Sequence, residues 1–248
     1  YVKISDGCDN RCTYCAIPLI RGRYASRPFE DIVEECKELA DQGVTEITLI
    51  AQETSRYGCD LGDGHYLLPE LLEAVSAIEK VHWVRVLYCY PDSTEDRLLD
   101  TIARLPKVAK YLDLPLQHIN DELLIQMNRR GTSEWIRSRI DECHRRGLLV
   151  RTTMIVGFPG ETEAQFEELM DFVKTARFER LGAFTYSPEE GTKAAKMPNQ
   201  IDEETKTRRL DQLMMLQQAI SMELNEARIG EKCEVLVDGF DEDGRPYG

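Results

Sequence analysis

At 248 residues the chain is long enough to bury a core of its own, so it needs no disulfide staples, and a single α/β barrel-type domain is the prior for that length. Hydrophobic residues at 42% and charged residues at 31% exclude a disordered chain, and no apolar run reaches the roughly 20 residues that span a bilayer. Thirty-one Lys and Arg against 45 Asp and Glu leave a net charge of −14, which repels phosphate backbones and favours a basic partner, although a merely solvated acidic surface accounts for it equally well.

The chain opens without Met on a strand pattern, Val2–Ser5, with no apolar signal segment, so it is expected to be part of a longer protein. Helical and strand patterns then alternate. Phe29–Asp41 places Ile32, Val33, Cys36, Leu39 and Ala40 on one face, with Pro28 before it and Gly43 after. Strand patterns follow at Glu46–Ala51, Val84–Tyr90, Tyr111–Leu116, Val150–Val156 and Leu181–Tyr186. Helical patterns separate them at Leu67–Ile78, Thr94–Leu105, Asp121–Met127, Glu134–Arg146 and Thr162–Ala176, the last with Thr162 and Gln165 at capping-box spacing. Six βα units in series predict an α/β fold with a parallel sheet, either a partial (β/α)6 barrel or a doubly wound open sheet. A long helix is expected at Asp202–Ile229, closed by Gly230. Lys232–Val237 then alternates like a strand, and Asp241–Gly244 reads as a hairpin turn, so residues 231–248 are expected to begin a small β domain after a core of residues 1–230.

Ligand sites in such folds gather at the carboxyl ends of the strands. There the sequence places Cys8–Cys15, Gln52-Glu53, Tyr90-Pro91, Gln117-His118, Gly157–Glu161 and Tyr186–Gly191. Of eight cysteines, Cys36, Cys59, Cys89, Cys143 and Cys233 are scattered, and Cys36 lies on a helix face expected to be core. Cys8, Cys12 and Cys15 share one short loop as C-x-x-x-C-x-x-C, the mark of a metal site in a reduced, cytoplasmic protein. Three thiolates suit a 4Fe–4S cluster with one iron left open; a zinc site of three Cys and one His is the rival, though His65, His82, His118 and His144 are not at finger spacing.

The cysteine motif resembles the signature of the radical S-adenosylmethionine enzymes. Arg21-Gly22-x-x-x-Ser26-Arg27-Pro28 and Val156-Gly157-Phe158-Pro159-Gly160-Glu161-Thr162 resemble its methylthiotransferase branch. Ile4–Asn10, Leu87–Pro91, Pro115–His118 and Phe184–Gly191 look most like the members that methylthiolate an aspartate of a small-subunit ribosomal protein. The resemblance covers nearly the whole chain and implies a partial (β/α)6 barrel, a 4Fe–4S cluster and S-adenosylmethionine, followed by the start of a TRAM domain. It implies a deoxyadenosyl radical that takes hydrogen from the aspartate β-carbon, and a second 4Fe–4S cluster on an N-terminal domain absent from this chain. It also implies a flavodoxin- or ferredoxin-like electron donor. Tyr14 would lie at the adenine, Gln52 and Glu53 at the methionyl amine, and Gln117 with His118 at the ribose or substrate. Arg151 would meet a substrate or cofactor carboxylate, or form a structural pair with an acid, and Gly157 would allow close approach to the adenine. Arg21, Arg23 and Arg27 form a basic patch that either orients an acidic substrate loop or simply solvates the surface. The sister reaction on transfer RNA is disfavoured by the acidity, and a non-catalytic iron–sulfur or zinc scaffold leaves the strand-end residues unexplained.

Overall fold

The computed structural model describes residues 1–248. Six strands alternate with six helices: β1 (Val2–Lys3), α1 (Phe29–Asp41), β2 (Glu46–Ile50), α2 (Leu68–Ser76), β3 (Trp83–Val86), α3 (Asp96–Arg104), β4 (Tyr111–Asp113), α4 (Ser133–Arg145), β5 (Leu149–Val156), α5 (Glu163–Ala176), β6 (Arg180–Thr185) and α6 (Glu203–Glu226). All pairings among the six strands are parallel, in two runs, β1-β2-β3 and β4-β5-β6. A parallel bridge from Val84 to Val108 carries the order from β3 to the segment entering β4. The strands therefore follow one another in chain order. A doubly wound sheet reverses its order at a switch point, so this is the partial barrel. β1 pairs only with β2 and β6 only with β5, which leaves the barrel open between them.

The residues explain the layering. Along β5, Val150, Thr152, Met154 and Val156 are buried beneath the helices, while Arg151, Thr153 and Ile155 on the other face are only partly covered. α1 buries Ile32, Cys36 and Ala40, and α5 starts with the expected capping box, Thr162 accepting from the Gln165 N–H and Gln165 from the Thr162 N–H. α6 lies against β6 through Leu213 and Ile220, and Gln217 donates to the Phe178 carbonyl at 2.8 Å.

Several expected strands end early. β3 stops at Val86 and β4 at Asp113, and Tyr88 (φ 62°) and Gln117 (φ 74°) turn left-handed beyond them. Leu114, Leu116 and Cys89 remain buried in loops, so apolar content extended the predicted strands past their hydrogen bonding. Val2–Ser5 divides at Ile4, and Ser5–Asp6 pairs antiparallel with Ala25–Ser26. Lys232–Val237 forms no strand: it is exposed and has no neighbouring strand to supply ladder bonds. The turn at Asp241–Gly244 does form, between Gly239–Phe240 and Pro246–Tyr247.

Candidate active site

The cysteine loop follows β1. It is entered through Gly7 (φ 73°), where a Cβ would stand 2.2 Å from the Arg23 carbonyl oxygen, so no other residue fits. Main-chain contacts hold the loop from several sides. The Thr13 N–H donates to the Met127 carbonyl, the Thr13 hydroxyl to that of Gln126, and the Ala194 N–H to that of Thr13. Asn128 donates to the carbonyls of Asn10 and Arg11. The Asn10 amide in turn donates to Glu53 at 2.7 Å. Cys8, Cys12 and Cys15 are all free and partly buried, and burial pushes the Cys8 thiol up to about 11 and raises Cys15 as well.

The three thiols open on one cavity of about 400 Å³ inside the barrel. Tyr14 and Asn10 of the same loop, Gln52 after β2, Tyr88, Cys89 and Tyr90 after β3, Pro115, Gln117 and Arg129 after β4, and Asp113, Arg151, Thr153 and Phe184 from the strands complete its wall. Three amide oxygens on this wall, Asn10 Oδ1, Gln52 Oε1 and Gln117 Oε1, are buried without a protein partner. Buried acceptors are normally satisfied, so these fit a ligand that donates hydrogen bonds, such as an amine or ribose hydroxyls. No three His, Cys, Asp or Glu side chains converge on a single-ion site. A cluster takes its thiolates on separate corner irons, so a set of three thiols spread around one cavity suits it better than the tight tetrahedron of one zinc.

Glu53 does not reach the cavity wall. It is buried behind the loop, accepting from Asn10, Ser55 and Ser93, and burial raises its carboxyl above the usual range. Gly157 also lies off the wall. Its left-handed backbone (φ 73°) makes room for Lys206 of α6, whose Cγ would be 2.3 Å from an added Cβ, and not for the cavity's occupant. His118 is fully buried, with Nε2 3.1 Å from Glu161 and Nδ1 accepting from the Asn120 N–H, so it is a structural residue. Arg21 and Arg23 stay exposed, whereas Arg27 pairs with Glu35.

The main residue that sequence reasoning missed is Arg129. It is buried, donates to the Tyr14 hydroxyl at 3.1 Å and the Pro115 carbonyl at 2.5 Å, and lies over the Tyr90 ring at 4.3 Å and within 3.9 Å of Cys12 Sγ. Burial disfavours its charge, but the Tyr14 and Tyr90 hydroxyls and the Cys12 thiol outweigh that and hold its pKa above the ordinary value. Arg129-Arg130-Gly131 reads as a basic turn, and only the capped helix Asp121–Gln126 folding the chain back hints otherwise.

Residues 2–173 match the Radical SAM superfamily. The chain belongs to the radical SAM superfamily. Among curated proteins, this superfamily member is 52% identical over 240 residues to the "ribosomal protein uS12 methylthiotransferase RimO" of Carboxydothermus hydrogenoformans, covering 96% of the chain and 55% of that relative. It is 49% identical over 250 residues to the protein of the same name from Clostridium kluyveri, covering all of the chain and 56% of that relative. The chain thus spans about half the length of the curated relatives it matches. Among solved structures, coproporphyrinogen III oxidase (HemN) of Escherichia coli superposes with a TM-score of 0.61 at 15% identity, over 89% of this chain and 54% of that one. The methyltransferase TsrM of Kitasatospora setae, solved with cobalamin and a 4Fe–4S cluster, gives 0.60 at 20% identity over 74% and 36%. At that distance the likeness speaks for the radical SAM fold alone. No helix is long and apolar enough to cross a membrane.

Proposed function

We propose that this chain is the core of a radical S-adenosylmethionine methylthiotransferase that modifies an aspartate side chain of the small-subunit ribosomal protein uS12. Identity near 50% along almost the whole chain supports the substrate class. The observation that carries the chemistry is the single cavity joining three free thiols, three unpartnered amide oxygens and a buried guanidinium. In this reading Cys8, Cys12 and Cys15 hold a 4Fe–4S cluster, and Gln52 with Asn10 accepts from the methionyl ammonium of S-adenosylmethionine. Gln117 and Thr153 face its ribose, Tyr14 its adenine, and Arg129 its carboxylate. When bound, the two groups together supply one-electron cleavage of a sulfonium to a carbon radical. The chain's own work is to fix the loop, bury the site and orient the ligands: Glu53 through Asn10, and Tyr90 through its stacking on Arg129. The likeness to methylthiotransferases implies a second 4Fe–4S cluster on a further domain that would carry the donated sulfur, and on this reading residues 1–230 are the radical core and residues 231–248 the start of a TRAM-like domain. An acidic cytoplasmic enzyme of this kind takes its electron from a flavodoxin- or ferredoxin-like donor, and its net charge of −14 favours a basic ribosomal protein over RNA.

The test is anaerobic reconstitution of the full-length protein, incubation with S-adenosylmethionine and reductant, and mass spectrometry of a uS12 peptide and of transfer RNA. A methylthio adduct on the peptide aspartate is expected. An adduct on RNA alone overturns the substrate.

A further inference from the structure

The cavity holds two cations, and they are built differently. Arg129 is buried against Cys12, with Nη1 and Nη2 each anchored by one protein acceptor, Tyr14 and Pro115, which leaves its remaining N–H donors for a ligand. Arg151 enters from β5 on the face that looks into the barrel, with its side chain 43% exposed. Its guanidinium makes one close hydrogen bond, from Nη1 to Asp113 Oδ1 at 3.3 Å, with the Tyr111 hydroxyl also beside it. A guanidinium carries five N–H donors in a planar fork, so most of the fork is free and faces the cavity. Arg85 of β3 does not line the cavity, and Glu46 takes its Nε at 2.7 Å.

Asp113 is fully buried and spends its other oxygen on the Tyr88 N–H at 3.0 Å. Tyr88 sits at φ 62°, a costly conformation for an aromatic residue, and is 47% exposed at the cavity. One buried carboxylate thus places both Arg151 and Tyr88, while the exposed Phe184 ring stands on the adjoining strand. The wall offers one free planar cation flanked by aromatic surface, suited to a side-chain carboxylate presented on a peptide.

We propose that Arg151 is the specificity residue for the carboxylate of the acidic side chain that this enzyme modifies. The proposal rests on the functional reading above and deepens it. A methionyl cofactor brings one carboxylate, which Arg129 meets, and Arg151 meets the second, that of the substrate. Asp113 is its positioning residue.

The test uses the full-length protein without added iron, so that binding is read apart from turnover. Two uS12 peptides that differ only by Asp or Asn at the modified position are titrated by calorimetry into wild type, Arg151→Gln and Arg151→Lys. Thermal melts show whether each variant is folded. Wild type is expected to bind the Asp peptide about 10- to 100-fold tighter than the Asn peptide. Arg151→Gln is expected to bind both at the Asn level, and Arg151→Lys to recover part of the preference as a point charge. Undiminished preference in folded Arg151→Gln overturns the assignment. S-adenosylmethionine is titrated in parallel into the reconstituted wild type and Arg151→Gln, and a loss of its affinity that exceeds the loss for the peptide also overturns the assignment, returning Arg151 to the cofactor. If wild type binds neither peptide above a scrambled control, the functional reading itself fails, and the assignment with it.

Discussion

Arg209 of α6 donates to Glu161 Oε2 at 2.6 Å and to the Glu161 carbonyl at 3.1 Å, with both side chains almost wholly excluded from water. The same carboxylate accepts the Gly157 N–H at 2.6 Å and faces His118 Nε2 at 3.1 Å. One acid therefore ties the turn after β4, the turn after β5 and the C-terminal helix together. Removing one partner of such a pair strands a buried charge. Arg209→Met is expected to cost about 3–5 kcal/mol, read as a lower urea midpoint. Adding Glu161→Gln removes the stranded charge, so the double variant should lose less than the sum of the singles. Strict additivity would mean that the two side chains act independently.

Glu163, two residues on from Glu161, shares Arg209 with it; Arg208 and Arg209 both donate to Glu163 and hold its carboxyl down at about 2. A depressed carboxylate adds stability that is fully present above its unfolded pKa near 4.5 and is lost as pH falls toward 2. Glu163→Gln is expected to lower the melting temperature at pH 7, where the charged carboxylate contributes in full, and to converge with wild type near pH 2, so that the decline between about pH 5 and pH 2 flattens. Because Glu163 is half exposed, solvent screening keeps the effect below about 1 kcal/mol. An unchanged acid limb would show that Glu163 contributes nothing to it.

How much of this was legible in the sequence depends on how local the cause was. α1 and the capping box at Thr162 were legible because spacing within one turn determines them. The cysteine loop was legible because three thiols on eight residues need no tertiary context. Strand ends were not, since Tyr88 and Gln117 leave the sheet under constraints from other strands while the apolar pattern continues. Arg129 was hidden because its partners, Tyr14, Tyr90 and Pro115, come from three different loops. Gly157 was recognised as a close-approach glycine, but the group approaching it, Lys206, lies 49 residues away on a helix that no local pattern places there.

Gly157 gives a separable prediction. Gly157→Ala puts a Cβ at φ 73° and 2.3 Å from Lys206 Cγ. The left-handed backbone costs about 1–2 kcal/mol for Ala, and the overpacking adds about 1–3 kcal/mol. Lys206→Ala in the same chain is expected to relieve the second cost and leave the first. Denaturant titration of the two singles and the double checks it, and full rescue would show that the backbone conformation carries no cost.

The thiols themselves are expected to be dispensable for folding. The loop is held by Thr13, Asn10 and Asn128 through amides, a hydroxyl and carbonyls, and its one sulfur contact, Arg129 to Cys12 Sγ, is long at 3.9 Å. The triple variant Cys8→Ala, Cys12→Ala, Cys15→Ala should melt as one transition close to wild type but bind no iron after anaerobic reconstitution. Full iron and sulfide content in that variant would move the cluster elsewhere in the chain.

Arg129→Gln separates cluster loading from cofactor binding. The guanidinium is buried without a carboxylate partner, so its loss strands no opposite charge, only the Tyr14 hydroxyl and the Pro115 carbonyl. The expected stability cost is therefore about 1–3 kcal/mol, not the larger cost of breaking a buried ion pair. Cys8, Cys12 and Cys15 remain, so iron and sulfide should still load. The unpartnered oxygens of Gln52 and Gln117 also remain, so the amine and hydroxyl contacts to S-adenosylmethionine persist while the contact to its carboxylate goes. Affinity should fall about tenfold or more, with a smaller fall for an analogue whose carboxylate is amidated, because that analogue never used the charge. Calorimetry on the reconstituted variant and wild type with both ligands reads this directly. Equal losses for the acid and the amide would mean that Arg129 shapes the cavity through Tyr90 and Tyr14 instead of reading the carboxylate.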